Sequence, residues 1–355
     1  MPKQREWTER DLLILQALYE LRELTKQQVT AKYFNGNVKY ANKRLYIMRC
    51  EGLIVTQVYG RRIEQHTRVA AYIRITERGM ELLVAKKRIE VSSYRARDMG
   101  LTAKQRQYII DANELHLRIP EIPFLDSRRI KKKYHLNRGD LLLGCFETTQ
   151  GDYTIYMLNA ETKPQTLIKI VTEIRSSKQL QVKGYLIFYK HISVKRRFVE
   201  LCEQEGLVTG GIPIYLLPYD ELGIDLTRWY ILASDRYAHL QQVLASYGQL
   251  VRVKERDKYG FLYGLRREGE GKPPYLVEQL TGDMLTLRRN LKFYTPERSR
   301  REGHRVLVIC FEEEVEHYQN LMEHERHVDV LGIPRIAVEH HFKRLQEKEG
   351  SGEQK

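Results

Sequence analysis

The chain has 355 residues, 42% of them apolar, and carries 60 Lys+Arg against 46 Asp+Glu for a net charge of +14. That length allows two or three domains at about 100–200 residues each, and no run of about 18 apolar residues is present that would cross a membrane. The start, "MPKQREWTERD", lacks the apolar stretch of a signal peptide. Cys50, Cys145, Cys202 and Cys310 stand far apart with no C-x-x-C pair, which argues against a zinc knuckle and a disulfide framework and points to a reduced, cytoplasmic protein.

The charge is segregated. Residues 1–90 hold 18 Lys+Arg against 10 Asp+Glu (+8), residues 91–140 hold 11 against 6 (+5), and the remaining 215 hold 31 against 30 (+1). A basic block beside a neutral body is the electrostatic footprint of a polyanion-binding module joined to something else.

In chain order, "WTERDLLILQALYELREL" predicts a helix capped by Thr8, with Glu9 and Asp11 in its first turn and Leu12, Leu15, Leu18 and Tyr19 on one face. A second helix, "TKQQVTAKYF", starts at Thr25 and breaks at Asn35-Gly36-Asn37. "VKYANKRLYIMRC" follows. Ala41, Leu45 and Met48 share one helical face, and Lys39, Tyr40, Asn42, Lys43, Arg44 and Tyr46 lie between them. Beyond Gly52 the pattern predicts two strands around a basic tip with Arg61, Arg62, Gln65, His66 and Arg68, then a Thr76-capped helix.

Three helices followed by a basic hairpin resemble a winged helix-turn-helix over roughly residues 5–90, including the ending "LxxxRCEGLI…ITERG". The resemblance implies that the third helix enters a DNA major groove. There Asn42 would pair with adenine and the Lys and Arg side chains with guanine or phosphate, while the hairpin tip would touch the backbone or minor groove. A protein-contact role for the same surface is the alternative.

Residues 91–137 read as a basic helical connector, with a helix in "TAKQRQYIIDANELHLR" and a cluster of Arg128, Arg129, Lys131, Lys132 and Lys133. That cluster either extends a phosphate track or is a solvated linker. The later residues repeat themselves at a spacing near 121. "YLIFY" from Tyr185 recurs as "VLVIC" from Val306, "VKRRFVELCEQ" from Val194 as "VEHYQNLMEHE" from Val315, and "GIP" at Gly211 as "GIP" at Gly332. Each copy reads strand, strand, helix, strand, helix, strand. The predicted organisation is a winged helix (1–90), the connector (91–137), two tandem α/β units (138–230 and 231–346) and a disordered tail (347–355). It is an α/β chain, α+β overall.

The repeated unit resembles the core of PD-(D/E)-x-K nucleases, in which strand carboxylates hold a divalent metal and a lysine positions water. Asp140, Glu161 and Lys163 are the candidates in the first copy, and Asp257, Glu278 and Lys292 in the second. Neither set is complete in register, and Tyr156 aligns with Glu278. The catalytic candidates are therefore Asp140, Glu278 and Lys292, with Mg only if that reading holds and no cofactor otherwise. No Walker A, G-x-S-x-G or H-E-x-x-H motif is present. The 23 tyrosines lack the His-hydrophobe-His partner of a relaxase, and His317, His324, His327 and His340–His341 read as surface residues.

The whole order resembles the replication-relaxation family of plasmids and other mobile elements, most clearly over residues 8–84. "YLVEQLTGD" with Glu278 and "LKFYT" with Lys292 and Tyr294 resemble its nuclease-like part. The resemblance implies a DNA-binding protein of plasmid replication, relaxation or transfer, with double-stranded DNA, replication or conjugation proteins and a second copy of itself as partners. A winged-helix transcriptional regulator and a metal-dependent nuclease are the alternatives.

Overall fold

The computed structural model describes residues 6–61, 68–90, 95–176, 182–209, 211–233, 235–253, 259–269 and 271–352. Among them are fourteen α-helices, a small antiparallel sheet of three strands and two mixed sheets of five strands in similar arrangement. None of these helices is long and apolar enough to cross a membrane. The chain divides into two compact units, Met1–Ile130 and Lys131–Lys355.

The first unit runs α1 (Glu9–Leu21), β1 (Glu23–Thr25), α2 (Lys26–Phe34), α3 (Val38–Cys50), β2 (Ile54–Arg61), β3 (Arg68–Ile75), α4 (Glu77–Ala85), α5 (Ala103–Arg118) and β4 (Phe124–Asp126). Thr8, Thr25, Thr76 and Thr102 each accept a backbone N–H three residues on, so α1, α2, α4 and α5 start where a hydroxyl satisfies an otherwise orphaned donor. Between α2 and α3, Asn35 and Gly36 both take left-handed backbone, and the Asn37 side chain then caps α3 through the Tyr40 N–H. Three residues thus end one helix and start the next. Gly52, also left-handed, ends α3, as the sequence predicts.

The three strands lie in the order β1-β3-β2, all antiparallel. Leu24, Ile54 and Ile73 of these strands are fully buried, as are Ile14, Leu15, Leu18, Val29 and Met48 of the helices. Residues from Met99 to Arg118, predicted as connector, are part of this core. Arg106 of α5 pairs with Glu23 of β1, their side chains 5% and 1% exposed, and also donates to the Leu101 carbonyl at 2.7 Å. Asn113 donates from its amide to the carbonyls of Leu21 (3.0 Å) and Glu23 (2.9 Å), and Gln28 to that of Ile110 (3.0 Å). These bonds satisfy strand and helix carbonyls that would otherwise be buried unpaired.

The helix α6 (Ser127–Lys133) leads into the second unit. It continues with β5 (Gly144–Thr148), β6 (Gly151–Leu158), α7 (Pro164–Ser176), β7 (Val182–Tyr189), α8 (Ile192–Gln204), β8 (Ile214–Pro218), α9 (Glu221–Asp225) and α10 (Arg236–Val243). Then come β9 (Gln249–Arg252), β10 (Tyr263–Arg266), β11 (Tyr275–Glu278), α11 (Met284–Phe293), α12 (Pro296–Glu302), β12 (Val306–Phe311), α13 (Val315–Leu321), β13 (Val328–Ile333) and α14 (Arg335–Gly352). In the first sheet β5 is antiparallel to β6, while β6-β7-β8 run parallel. In the second, β10 is antiparallel to β11, and β11-β12-β13 run parallel. The central strands are apolar almost throughout and buried on both sides, as parallel strands covered by helices require.

The spacing of 121 places β7 against β12 correctly, but two sequence matches shift. The first "GIP" precedes β8, whereas the second ends β13, so those tripeptides are not equivalent positions. Tyr185 pairs with Thr154 and Val306 with Tyr275, so Glu278 corresponds to Met157 and not to Tyr156. Short tripeptide and aromatic matches slip easily where one connection is longer than the other, and strand pairing does not.

Replacing Arg106 by Ala leaves the Glu23 carboxylate buried without its guanidinium, with the Leu101 amide at 3.4 Å still donating to it. The expected loss is about 3–5 kcal/mol of unfolding free energy in urea. A loss below about 1 kcal/mol would mean that α5 is not part of the cooperative core.

Candidate nucleic-acid interface

The sequence of α3 sorts its side chains by direction. Ala41, Leu45 and Met48 are buried, as their spacing predicts. Lys39, Asn42, Lys43, Tyr46, Arg49 and Cys50 are exposed; at 100° per residue Lys39, Lys43, Tyr46 and Cys50 fall on the opposite face and Asn42 and Arg49 on its flank. Tyr46 is 59% exposed, and the Arg49 guanidinium lies 5.4 Å from its ring centroid. No acidic residue occurs from Val38 to Cys50. The face is therefore cationic and amide-bearing, with an aromatic ring at its middle. Arg49 escaped the sequence reading, although its place seven residues after Asn42 puts it on the same stripe.

Tyr40 and Arg44 lie on the flank toward α1. Tyr40 packs edge-on against Phe34 at 5.6 Å, with Arg10 over both rings at 5.3 and 5.6 Å. Arg44, grouped by the sequence with the DNA-facing side chains, grips Asp11 with two guanidinium nitrogens, Nε donating to Oδ1 at 2.6 Å and Nη2 to Oδ2. Its guanidinium also lies 5.5 Å from the Trp7 ring centroid. Asp11 is wholly buried and accepts from the Thr8 amide (2.8 Å) and hydroxyl (2.6 Å), completing a capping box at the start of α1. Burial pushes the Asp11 carboxyl up, but the bonds from Arg44 and Thr8 outweigh it and hold the group below its ordinary value.

The β2–β3 ladder places Arg61 opposite Arg68 at the hairpin's end. Arg62, Gln65 and His66 lie outside the described residues. The basic cluster is largely engaged internally. Arg128 donates to the Tyr19 and Glu20 carbonyls at the end of α1 (3.1 and 3.2 Å) and pairs with Asp126 at 2.7 Å. Arg129 lies 3.8 Å from Glu20. Lys131 donates to the Arg138 and Asp140 carbonyls, and Lys133 pairs with Glu147 (2.8 Å) and Asp152 (2.7 Å). Lys132 stands exposed.

The carboxylates proposed for metal chemistry are not gathered. Asp140 accepts from the Asn137 amide at 2.8 Å in the loop before β5. Glu278, 8% exposed at the end of β11, accepts from Arg236 (2.5 Å), the Tyr230 hydroxyl (3.3 Å), and the Thr281 amide (2.7 Å) and hydroxyl (3.1 Å). Both of its oxygens thus face donors. Lys292 is exposed in the last turn of α11 and is not among those donors. Tyr294 is fully buried, and its hydroxyl donates to the His304 carbonyl at 3.0 Å. Glu161 and Lys163 are exposed in the turn after β6, and Asp257 lies outside the described residues. Among the described residues no group of three or more His, Cys, Asp or Glu side chains could hold a metal ion. Two histidines read as surface residues, His327 and His341, are buried.

Arg44→Ala leaves the buried Asp11 with its Thr8 donors but no counter-charge and is expected to destabilise the chain by about 3 kcal/mol in urea. Lys43→Ala, on the exposed face, stays within about 0.5 kcal/mol. Because Asp11 is held below its unfolded value of about 3.9, its stabilisation is complete above about pH 4. It is lost as pH falls through the depressed value. Asp11→Asn should therefore flatten the stability profile below about pH 4. An unchanged profile would remove Asp11 from the account.

Comparison with protein-family models, with curated proteins and with solved structures gives no match for this chain.

Proposed function

We propose that the first unit is a winged helix-turn-helix that binds double-stranded DNA with α3 in the major groove. The observation that carries this reading is the single exposed cationic stripe formed by Lys39, Asn42, Lys43, Tyr46 and Arg49, with Lys39, Lys43 and Tyr46 opposite the buried Ala41, Leu45 and Met48 and with Asn42 and Arg49 on its flank. Its chemistry suits a duplex. An amide can bond adenine N6 and N7 bidentately, a guanidinium can bond guanine O6 and N7, and ammonium groups neutralise phosphates. The pair Arg61 and Arg68 brings further positive charge to the hairpin end, where a wing would meet the backbone.

The sequence resemblance to the replication-relaxation family supports a reading of the chain as a cytoplasmic DNA-binding protein of a plasmid or other mobile element, acting in replication, relaxation or transfer. On this reading the second unit is a duplicated, nuclease-like body that recruits replication or conjugation proteins. The donors enclosing both Glu278 oxygens favour such a structural use over metal-dependent cleavage.

Lys39 and Lys43 supply two phosphate-neutralising charges on this account. Replacing both with Ala in the full chain should weaken binding to every duplex and make the slope of log K against log salt shallower by about two units. Fluorescence anisotropy on labelled duplex over a range of salt measures it. A slope equal to that of the unaltered protein would place these lysines away from the phosphates.

A further inference from the structure

In the second unit a groove of about 380 Å³ lies between α10 and α14. Gln242 and Ala245 form one wall, and His341, Arg344, Leu345 and Lys348 form the other. The α14 residues recur at i, i+3, i+4 and i+7, so one helical stripe faces the groove. Two of the six lining residues carry permanent positive charge, one is an imidazole, one an amide, and none is a carboxylate.

His341 is only 3% exposed, and its Nε2 lies 3.3 Å from Nδ1 of His239 on α10. Two neutral imidazoles in this arrangement share one N–H between them. Asp235, the N-cap of α10, acts on His239, while Arg344 and Lys348 act on His341. On α9, Asp225 accepts from the Gln346 amide at 2.7 Å, and on α14 Glu339 pairs with Arg335. Burial, reinforced by His239, Arg344 and Lys348, holds His341 down at about 4. An imidazole kept neutral beside two cations does not suit a divalent metal, which would add to the same repulsion. It suits an anion, whose charge would let the imidazole take a proton.

We infer that this groove binds a phosphoryl oxyanion, with Arg344 and Lys348 supplying charge, Gln242 an amide donor and His341 a proton. Inorganic phosphate and the phosphodiesters of a nucleic acid offer the same oxygens, and two probes distinguish them. The inference does not depend on the role of α3.

The experiment follows the His341 imidazole of the full chain by NMR between about pH 5.5 and 8, alone, with inorganic phosphate, and with a short DNA duplex. Without anion His341 should not titrate in that window. With saturating phosphate its pKa should rise by about two units or more, bringing titration into the window with a saturable dose response. The Arg344→Gln, Lys348→Gln double variant alters two exposed side chains and should abolish the response. Its anion-free histidine spectrum reports whether it is folded. A response to duplex but not to inorganic phosphate would identify a nucleic-acid backbone as the source of the oxyanion. No response to either probe would overturn the inference. So would a non-saturating response that chloride reproduces, or one that persists in the double variant.

Discussion

A guanidinium on α3 clasped to a wholly buried carboxylate at the start of α1 is the contact on which the rest of the first unit turns. Asp11 belongs at once to the Thr8 capping box and to the pair with Arg44. Turning α3 about its axis would strip Asp11 of its charged partner and leave it only the Thr8 donors, and a buried carboxylate without a counter-charge is far more costly than a surface one. The pair thereby fixes which stripe of α3 looks outward. Arg44 contributes by orienting the outward stripe without belonging to it, while Lys39, Asn42, Lys43, Tyr46 and Arg49 remain at the surface.

The second unit uses the same device. Glu278 sits where β11 gives way to the turn before α11, and Arg236, Tyr230 and Thr281 close around it. The next backbone link, from the Leu216 amide to the Thr281 carbonyl at 2.9 Å, ties that turn to β8 of the other sheet. Lys195 with Glu314 and Arg335 with Asp220 add further pairs between the two halves. A carboxylate whose oxygens are already bonded to a guanidinium, an amide and hydroxyls would have to lose them before binding a metal. The same residue reads very differently when it stands alone in a string of letters.

Local features were legible because they depend on neighbours in the chain. Thr8, Thr25 and Thr76 announce helix starts, Asn35-Gly36-Asn37 a helix break, and the period of Ala41, Leu45 and Met48 a buried face. The strand-helix alternation of the repeat was equally plain. What the sequence hides is pairing at long range. Arg44 finds Asp11, Arg106 finds Glu23, and Arg128 finds the carbonyls of Tyr19 and Glu20 only once the chain has folded. A charged residue far from its partner looks like any solvated one, so Arg128 and Lys133 read as either a phosphate track or a solvated linker, although they are bonded within the protein. The burial of His341 was hidden for the same reason, since its neighbour His239 lies 102 residues away.

Cys50 gives direct access to the outward face of α3. It is exposed at the end of the stripe that carries Lys39, Lys43 and Tyr46, while Cys145, Cys202 and Cys310 are buried. The rate at which a thiol reagent alkylates Cys50 in the native full chain, with and without saturating duplex, therefore reports whether DNA covers that face. Marked slowing of Cys50 modification by duplex is the predicted result. An unchanged rate on a chain shown to be DNA-bound would contradict the account and move the interface off α3.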